Sequence, residues 1–282
     1  MSVVESVAYP RSGPGAASRA WLFARHHALT AYSMLAFVYL LLPIAIVVAF
    51  SFNHPAGRFN YVWRGFTWDN WKHWDAVPGL RSAMVLSLEV ALLASVIATA
   101  LGTLIALALV RYGFRGRGVT NLFIFLPMST PEIVLGASLL TLFINVNFAL
   151  GFTTILIAHV MFCISYVVVT VKARLIGFDR HLEEAAMDLG ANEWVTFRKV
   201  TLPLIAPAIM AAFLLSFALS IDDFTVTLFN SGSEVTFPLF VWGAARVGAP
   251  PQVNVIGTTI FIVAIATMIA NVLIQNRRAR RA

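Results

Sequence analysis

The chain has 282 residues, of which 59% are hydrophobic and only 12% are charged, and its mean hydropathy is +0.82. These values lie outside the range of soluble globular domains and within that of proteins that cross a membrane several times. The net charge of +7 does not indicate nucleic-acid binding, because no long basic patch is interleaved with aromatic residues. We therefore expect an all-helical membrane protein without a nucleic-acid partner.

Six apolar segments are long enough to cross a bilayer as helices, which requires about 20 residues each. They cover residues 29–50, 82–110, 120–144, 152–172, 205–228 and 253–275. Prolines, glycines and scattered arginines before the first segment predict a flexible cytoplasmic tail over residues 1–28. The predicted organisation is a six-helix membrane domain over residues 29–275, followed by a short basic cytoplasmic tail over residues 276–282.

The third apolar segment is interrupted by two prolines, Pro127 and Pro131. Proline lacks the backbone N–H of a helical hydrogen bond, so two prolines so close together predict a kink or a break. Broken backbone at membrane depth is tolerated where it lines a cavity. We therefore expect a cavity beside this segment.

The basic residues indicate how the chain lies in the membrane. If the N-terminus is cytoplasmic, fifteen of the 20 Lys and Arg residues lie on the cytoplasmic side, which predicts that both termini are inside. Residues 51–81 then form an external loop, and residues 173–204 form a cytoplasmic loop. The external loop carries four tryptophans that suit an interfacial aromatic belt or a short amphipathic helix, or else a docking surface: Trp63, Trp68, Trp71 and Trp74.

The loop over residues 173–204 has a helical pattern of its own. Asp179 is a candidate cap for a helix over residues 180–189, and Gly190 is a candidate stop. One face of that helix is apolar, formed by Leu182, Ala185, Ala186 and Leu189. A second helix over residues 192–200 is predicted to end before a break at Leu202 and Pro203. The residues alone leave a docking element and a simple linker equally open.

The spacing of one residue set in this loop resembles the EAA signature of ABC importer permeases. The set is Glu184, Ala185, Ala186, Gly190, Val200, Leu202 and Pro203, and we call residues 173–204 the EAA loop. The resemblance implies a type I (MetI-like) permease fold whose loop docks on a cytoplasmic ATPase dimer. Asp188 would join the EAA residues in this coupling.

The same resemblance implies the rest of the machine. The sequence has no GxxxxGK[ST] nucleotide loop, so ATP and Mg²⁺ would bind to the separate ATPase chains. This chain would bind no cofactor or metal of its own and would not be an enzyme. A second permease subunit, an external solute-binding protein and the lipid of a bacterial inner membrane are the other implied partners.

Five further stretches are similar to the polyamine permeases, those for spermidine and putrescine. They are residues 131–143, 168–179, 182–203, 220–227 and 246–254. The resemblance therefore implies a polyamine as the cargo. Other cargo of related importers stays open, namely an organic amine, thiamine, ferric ion or an aminophosphonate.

Four acidic residues lie inside apolar segments, namely Glu89, Glu132, Asp222 and Asp223. A charged group inside a membrane is costly, and we expect no Lys, Arg or His beside these acids in the span cores. A mobile cation would then be their partner, although hydrogen bonds to neighbouring helices or protonation are also open. Neighbouring residues on a helix point about 100° apart, so at most one of the two aspartates faces the pathway.

The resemblance favours Glu132 and the Asp222 and Asp223 pair as cargo-binding residues, with Glu89 less supported. Trp242 is added as an aromatic face for an ammonium group, whereas His159 is expected to be a polar packing residue. Intramembrane acids are also expected in an ion-coupled secondary transporter. The EAA loop argues against that class, because such a carrier needs no ATPase docking site.

Overall fold

The structure, a computed structural model, describes residues 16–57 and 59–279. Its helices in chain order are α1 (Ala16–Ser51), α2 (Asp69–Lys72), α3 (Leu80–Arg111), α4 (Arg117–Ser129), α5 (Glu132–Asn145), α6 (Phe152–Ile176), α7 (His181–Asp188), α8 (Glu193–Thr196), a π-helical segment (Phe197–Thr201), α9 (Leu202–Asp222), α10 (Thr225–Asn230), α11 (Phe237–Val247) and α12 (Pro251–Ala279). The chain divides into two compact units, residues 1–74 with 251–282, and residues 75–250.

Within the described ranges, five helices are long and apolar enough to cross a membrane, and α4 with α5 passes the same test as a bent pair. The five spans are His27–Ser51, Leu80–Arg111, Phe152–Ile176, Glu193–Asp222 and Pro251–Ile269. Counting the bent pair as one span gives the six that the hydropathy pattern predicts. The all-helical prediction is confirmed, since the described residues contain no strand beyond one isolated bridge.

The first unit is built on the pairing of α1 with α12. Helix α1 begins at Ala16, so the predicted flexible tail is wrong for residues 16–28, while residues 1–15 lie outside the described part. The physical reason is the alanine content of this stretch, because alanine has the strongest intrinsic preference for a helix. The apolar segment over residues 29–50 is helical as predicted, and the helix begins before it, at Ala16.

Three asparagines order the loop that follows α1. Asn53 Nδ2 donates to Asn60 Oδ1 at 2.7 Å and to the carbonyl oxygen of Val62 at 2.8 Å. Asn70 Nδ2 donates to the carbonyl oxygens of Ser51 and Asn53 at 3.0 and 2.8 Å. These amide side chains provide hydrogen-bond partners for carbonyl groups of the loop backbone, which helical hydrogen bonds would otherwise have to supply. The loop accordingly contains only one short helix, the four-residue α2.

The tryptophans of this loop have different surroundings. Trp71 stacks on Phe52 with the ring centroids 5.3 Å apart, and its Nε1 donates to Ser51 Oγ at 3.2 Å. Trp63 and Trp68 are about half exposed. The predicted amphipathic helix is therefore reduced to α2, and the aromatic-belt interpretation stays a prediction for the exposed rings.

The core of the second unit lies between α3, α6 and α9. The buried face of α3 consists mostly of small residues, including Ala91, Ala94 and Ala98, and small residues let membrane helices approach closely. Gly102 of α3 lies against α6, where an added Cβ would lie 2.7 Å from the Cβ atom of Val167. The absence of a side chain at Gly102 thus allows the backbones of α3 and α6 to lie close together.

The predicted interruption of the third segment is confirmed as a sharp break. Helix α4 ends at Ser129, α5 begins at Glu132, and the two axes differ by 109°. Thr130 and Pro131 between them have extended ψ angles of 134° and 132°. The residue before a proline is pushed out of the helical region, which explains why the chain turns here.

A second break occurs where the sequence predicted continuous helix over residues 205–228. Helix α9 ends at Asp222, Asp223 has an extended ψ angle of 122°, and α10 begins at Thr225. The carboxylate of Asp223 accepts the backbone N–H groups of Val226 and Thr227. The side chain therefore caps α10, and an apolar pattern alone cannot reveal such a start.

The EAA loop is helical as predicted, but its end differs. Helix α7 matches the predicted helix over residues 180–189, whereas α8, the π-helical segment and α9 form one continuous helix from Glu193 to Asp222. The predicted break at Leu202 and Pro203 is wrong. Pro203 lies in the first turn of α9, and the wider π turn directly before it accommodates the missing N–H.

Candidate functional site

The two helix breaks of the second unit border one cavity of about 290 Å³. The break between α4 and α5, the break between α9 and α10, and the middle of α6 supply its lining, which is Pro127, Thr130, Glu132, Leu135, Phe162, Tyr166, Leu219, Asp222, Asp223, Phe224, Thr225 and Val226. Discontinuous helices at membrane depth are a common way to build a transport site, because the helix ends expose unpaired backbone N–H and C=O groups inside an apolar region. The predicted cavity beside the proline break is confirmed.

Two carboxylates are available to a ligand in this cavity. Glu132 is the first residue of α5 and Asp222 is the last residue of α9, and both side chains are exposed. Within the described part of the chain, neither has an ion-pair partner. Because they come from different elements, they offer two separate negative charges to one elongated cation.

Asp223 lines the same cavity but is already bonded inside the protein. Its Oδ2 atom lies 3.3 Å from His159 Nε2 and accepts the backbone N–H and the hydroxyl of Thr227 at 2.8 and 2.7 Å. Only 6% of the side chain is exposed. The expectation that no histidine accompanies the intramembrane acids is therefore wrong for Asp223, although the alternative that an acid bonds its neighbours is correct for it.

His159 joins three helices around this carboxylate. The ring is buried in α6, with Nδ1 2.6 Å from Ser220 Oγ of α9 and Nε2 2.9 Å from Thr227 Oγ1 of α10. Both nitrogens are thus used, so the expectation of a polar packing residue is correct but incomplete. The network holds the break between α9 and α10 in place and so positions Asp222 at the cavity.

Two predicted cargo residues do not line the cavity, although the ring centroid of Trp242 lies 5.1 Å from that of Phe224, which does. Glu89 is exposed on α3, and Trp242 lies on α11 with the guanidinium carbon of Arg246 4.7 Å from its ring centroid. The face of Trp242 thus already carries a cation. Tyr166 and Phe224 supply aromatic rings to the cavity lining instead.

Helix α7 presents the predicted apolar face of the EAA loop outward. Leu182 is 48% exposed and Leu189 is 90% exposed. Most signature residues follow the same pattern: Glu184, Ala185, Gly190, Leu202 and Pro203 are exposed, whereas Ala186 and Val200 are half-buried. Asp188 is exposed as well. An apolar face that the chain itself does not cover is available to a partner.

Gly190 ends this helix as predicted. Its φ angle is +87°, in the left-handed region, and its N–H donates to the carbonyl oxygen of Met187 at 2.9 Å. A Cβ atom at this position would meet nothing within 4 Å. The requirement for glycine therefore comes from the backbone angle and not from crowding.

The start of α7 differs slightly from the prediction. Asp179 Oδ1 accepts the backbone N–H of His181 at 3.0 Å and lies 2.7 Å from its ring Nδ1. These bonds from His181 lower the pKa of the Asp179 carboxyl, and the same contact raises the pKa of His181. Asp179 thus caps the turn before α7, one residue earlier than a standard N-cap.

One further candidate residue has no recognisable pattern in the sequence. Glu183, beside the signature residue Glu184, forms an ion pair with Arg111 at the end of α3 and accepts a hydrogen bond from the Thr201 hydroxyl. By helical spacing Glu183 falls outside the apolar face of α7, which gives it no local sign of a role. Its partner lies 72 positions away, so no local signal could have indicated the pair.

The chain matches a family model described as "Binding-protein-dependent transport system inner membrane component" over residues 98–281. It is 40% identical over 248 residues to the spermidine/putrescine transport system permease protein PotC of Haemophilus influenzae, covering 88% of this chain and 96% of that protein. It is 39% identical over 235 residues to the putrescine transport system permease protein PotI of Escherichia coli, covering 80% and 83%.

Solved structures agree on the fold. A bacterial ABC transporter that imports the acidic polysaccharide alginate superposes with a TM-score of 0.63 at 18% identity, covering 94% of this chain and 98% of that one. The MetNI methionine ABC transporter superposes with a TM-score of 0.56 at 15% identity, covering 68% and 92%. The predicted ABC importer permease fold is confirmed, and the relatives are transport subunits rather than enzymes. The chain thus belongs to the family of binding-protein-dependent transport system inner membrane components.

Proposed function

We propose that this chain is one of two permease subunits of an ATP-driven importer whose cargo is a polyamine, spermidine or putrescine. The observation that carries the proposal is the 40% identity to a spermidine/putrescine permease over 88% of the chain. The cavity supports it independently, because Glu132 and Asp222 are two carboxylates without an internal cation among the described residues. A linear polyamine carries several ammonium groups that could bind both.

The chemistry of the cavity suits such a cargo. Each ammonium group of a polyamine donates hydrogen bonds to a carboxylate, and the charge on both groups strengthens these bonds. The rings of Tyr166 and Phe224 line the same space and can lie against the methylene chain or an ammonium group. Glu132 and Asp222 thus bind cargo, whereas Asp223 maintains the break that positions Asp222.

The exposed apolar face of α7 is the proposed docking surface for a cytoplasmic ATPase dimer, on which ATP and Mg²⁺ bind. The excess of Lys and Arg near the EAA loop supports an orientation with this loop and both termini in the cytoplasm. An external solute-binding protein delivers the cargo from the other side. ATP binding then shifts the permease pair between outward-open and inward-open states.

Reconstitution tests this function. The chain is purified with its partner permease and ATPase, placed in proteoliposomes with ATP on the ATPase side, and supplied with the binding protein carrying labelled spermidine or putrescine. We expect uptake that requires ATP, the ATPase and the binding protein. Uptake by this chain alone under a proton gradient contradicts the proposal, and stimulation only by thiamine, ferric ion or an aminophosphonate contradicts the cargo assignment.

Replacing Gly190 by alanine should weaken the coupling to the ATPase. A left-handed backbone angle disfavours a residue with a Cβ atom by about 1–2 kcal/mol, so the native turn after α7 becomes about 5- to 30-fold less populated. Co-purification of the ATPase with the membrane subunits measures the effect. Gly118→Ala in α4 is the matched control, because Gly118 has no positive φ angle and no atom within 4 Å of an added Cβ. Equal ATPase recovery in both variants argues against the coupling role.

A further inference from the structure

Polar contacts join helix α7 to the rest of the chain. None of the eight residues of α7, all of which the structure describes, is buried. The Glu183 carboxylate, however, is only 16% exposed, and it binds the guanidinium of Arg111 and the hydroxyl of Thr201. Arg111 Nη2 also donates to Thr201 Oγ1 at 3.2 Å. We call Arg111, Glu183 and Thr201 the polar triad.

The polar triad joins three separate elements. Arg111 is the last residue of α3, Glu183 lies in α7, and Thr201 is the last residue of the π-helical segment. A second bond strengthens the attachment to α3, since Arg180 Nη2 donates to the carbonyl oxygen of Val110 at 3.1 Å. A displacement of α7 would therefore pull on the end of α3 and on the π-helical segment together.

Thr201 also connects this attachment with the cargo cavity. The helix that contains it continues to Asp222, and the 21 residues of α9 rise about 30 Å between the two ends. The π-helical segment ends at Thr201 and so contributes one residue to the polar triad. Such segments are less regular than an α-helix and often mark functional positions, where a change of helical register is possible.

We infer that the polar triad is the positioning link through which movement of α7 reaches the cavity along the helix from Glu193 to Asp222. This inference rests on the proposed coupling of α7 to an ATPase and adds residues that the EAA signature does not contain. Glu183 and Arg111 act through α7 and α9 and touch neither cargo nor nucleotide. Without the polar triad, α7 would still dock on the ATPase, but its displacement would no longer change the conformation of the cavity.

The test compares coupling with assembly in the reconstituted importer. Glu183→Gln removes the charge at constant side-chain size, and Arg111→Gln removes the charge while it shortens the side chain. Bonds to charged groups contribute on the order of 10- to 100-fold to an equilibrium. We expect the ATPase to remain associated and to hydrolyse ATP. Stimulation by the loaded binding protein and cargo uptake per ATP should fall about tenfold or more. The reversed pair, Arg111→Glu with Glu183→Arg, should recover part of the uptake per ATP.

Glu193→Gln is the control in the same loop, because Glu193 is an exposed carboxylate outside both the polar triad and the signature. If Glu183→Gln fails to assemble, the comparison of Thr201→Val with Thr201→Ser carries the test, since only serine keeps the hydroxyl. Full uptake per ATP in both single-charge variants, or in Thr201→Val, overturns the inference. Failure of the proposed function is a different result, because the unmodified chain would then show no ATP-driven uptake.

Discussion

Asp222→Asn should lower ATP-driven polyamine uptake at subsaturating cargo about 10- to 100-fold. The physical reason is the loss of a charge-assisted hydrogen bond, which contributes about 1.5–3 kcal/mol. Asparagine has nearly the same shape, so the cavity keeps its form while it loses one of its two available charges. The uptake rate as a function of the concentration of loaded binding protein measures the effect.

Two further variants distinguish binding from a general disturbance. Asp222→Glu keeps the charge and should retain most of the uptake, whereas Glu132→Gln should act in the same direction as Asp222→Asn. Glu89→Gln is the matched control, because Glu89 is also an acid in an apolar helix but does not line the cavity. Equal uptake by Asp222→Asn and the unmodified protein contradicts the assignment, as does a larger loss from Glu89→Gln.

His159→Leu should destabilise the protein by about 3–5 kcal/mol, because removing one partner of a buried polar pair leaves the other uncompensated. The substitution fills a similar volume but takes away the ring contacts to Asp223, Ser220 and Thr227. Equilibrium unfolding in detergent micelles, followed by circular dichroism or by cysteine accessibility at the buried Cys163, gives the free energy of unfolding.

Asp222→Asn is the control for this measurement, and it should change the free energy of unfolding by less than about 0.5 kcal/mol. The neighbouring Asp223→Asn should resemble His159→Leu, since Asp223 is held by the same network. The proposal therefore predicts that the two adjacent aspartates differ, with Asp222 needed for cargo binding and Asp223 for stability. A stable His159→Leu variant with normal uptake contradicts this division.

The sequence by itself determined the features that depend on local covalent chemistry. The number of spans follows from apolar length, because a bilayer core of about 30 Å needs about 20 helical residues. The break between α4 and α5 follows from Pro131, whereas Pro127 lies inside α4. The end of α7 follows from Gly190, whose positive φ angle only glycine adopts without strain. The EAA spacing indicated the family before any coordinates.

Only the tertiary structure decided which charged groups are paired and which are available. His159 meets partners 61 and 68 positions away, and Arg111 meets Glu183 across 72 positions. A single sequence records the types of these residues but not their neighbours, and hydropathy treats Asp222 and Asp223 alike. Helix packing brings the imidazole to Asp223 and leaves Asp222 at the cavity. A buried charge needs a partner whereas an exposed one can bind a ligand, so this pairing separates structural acids from functional ones.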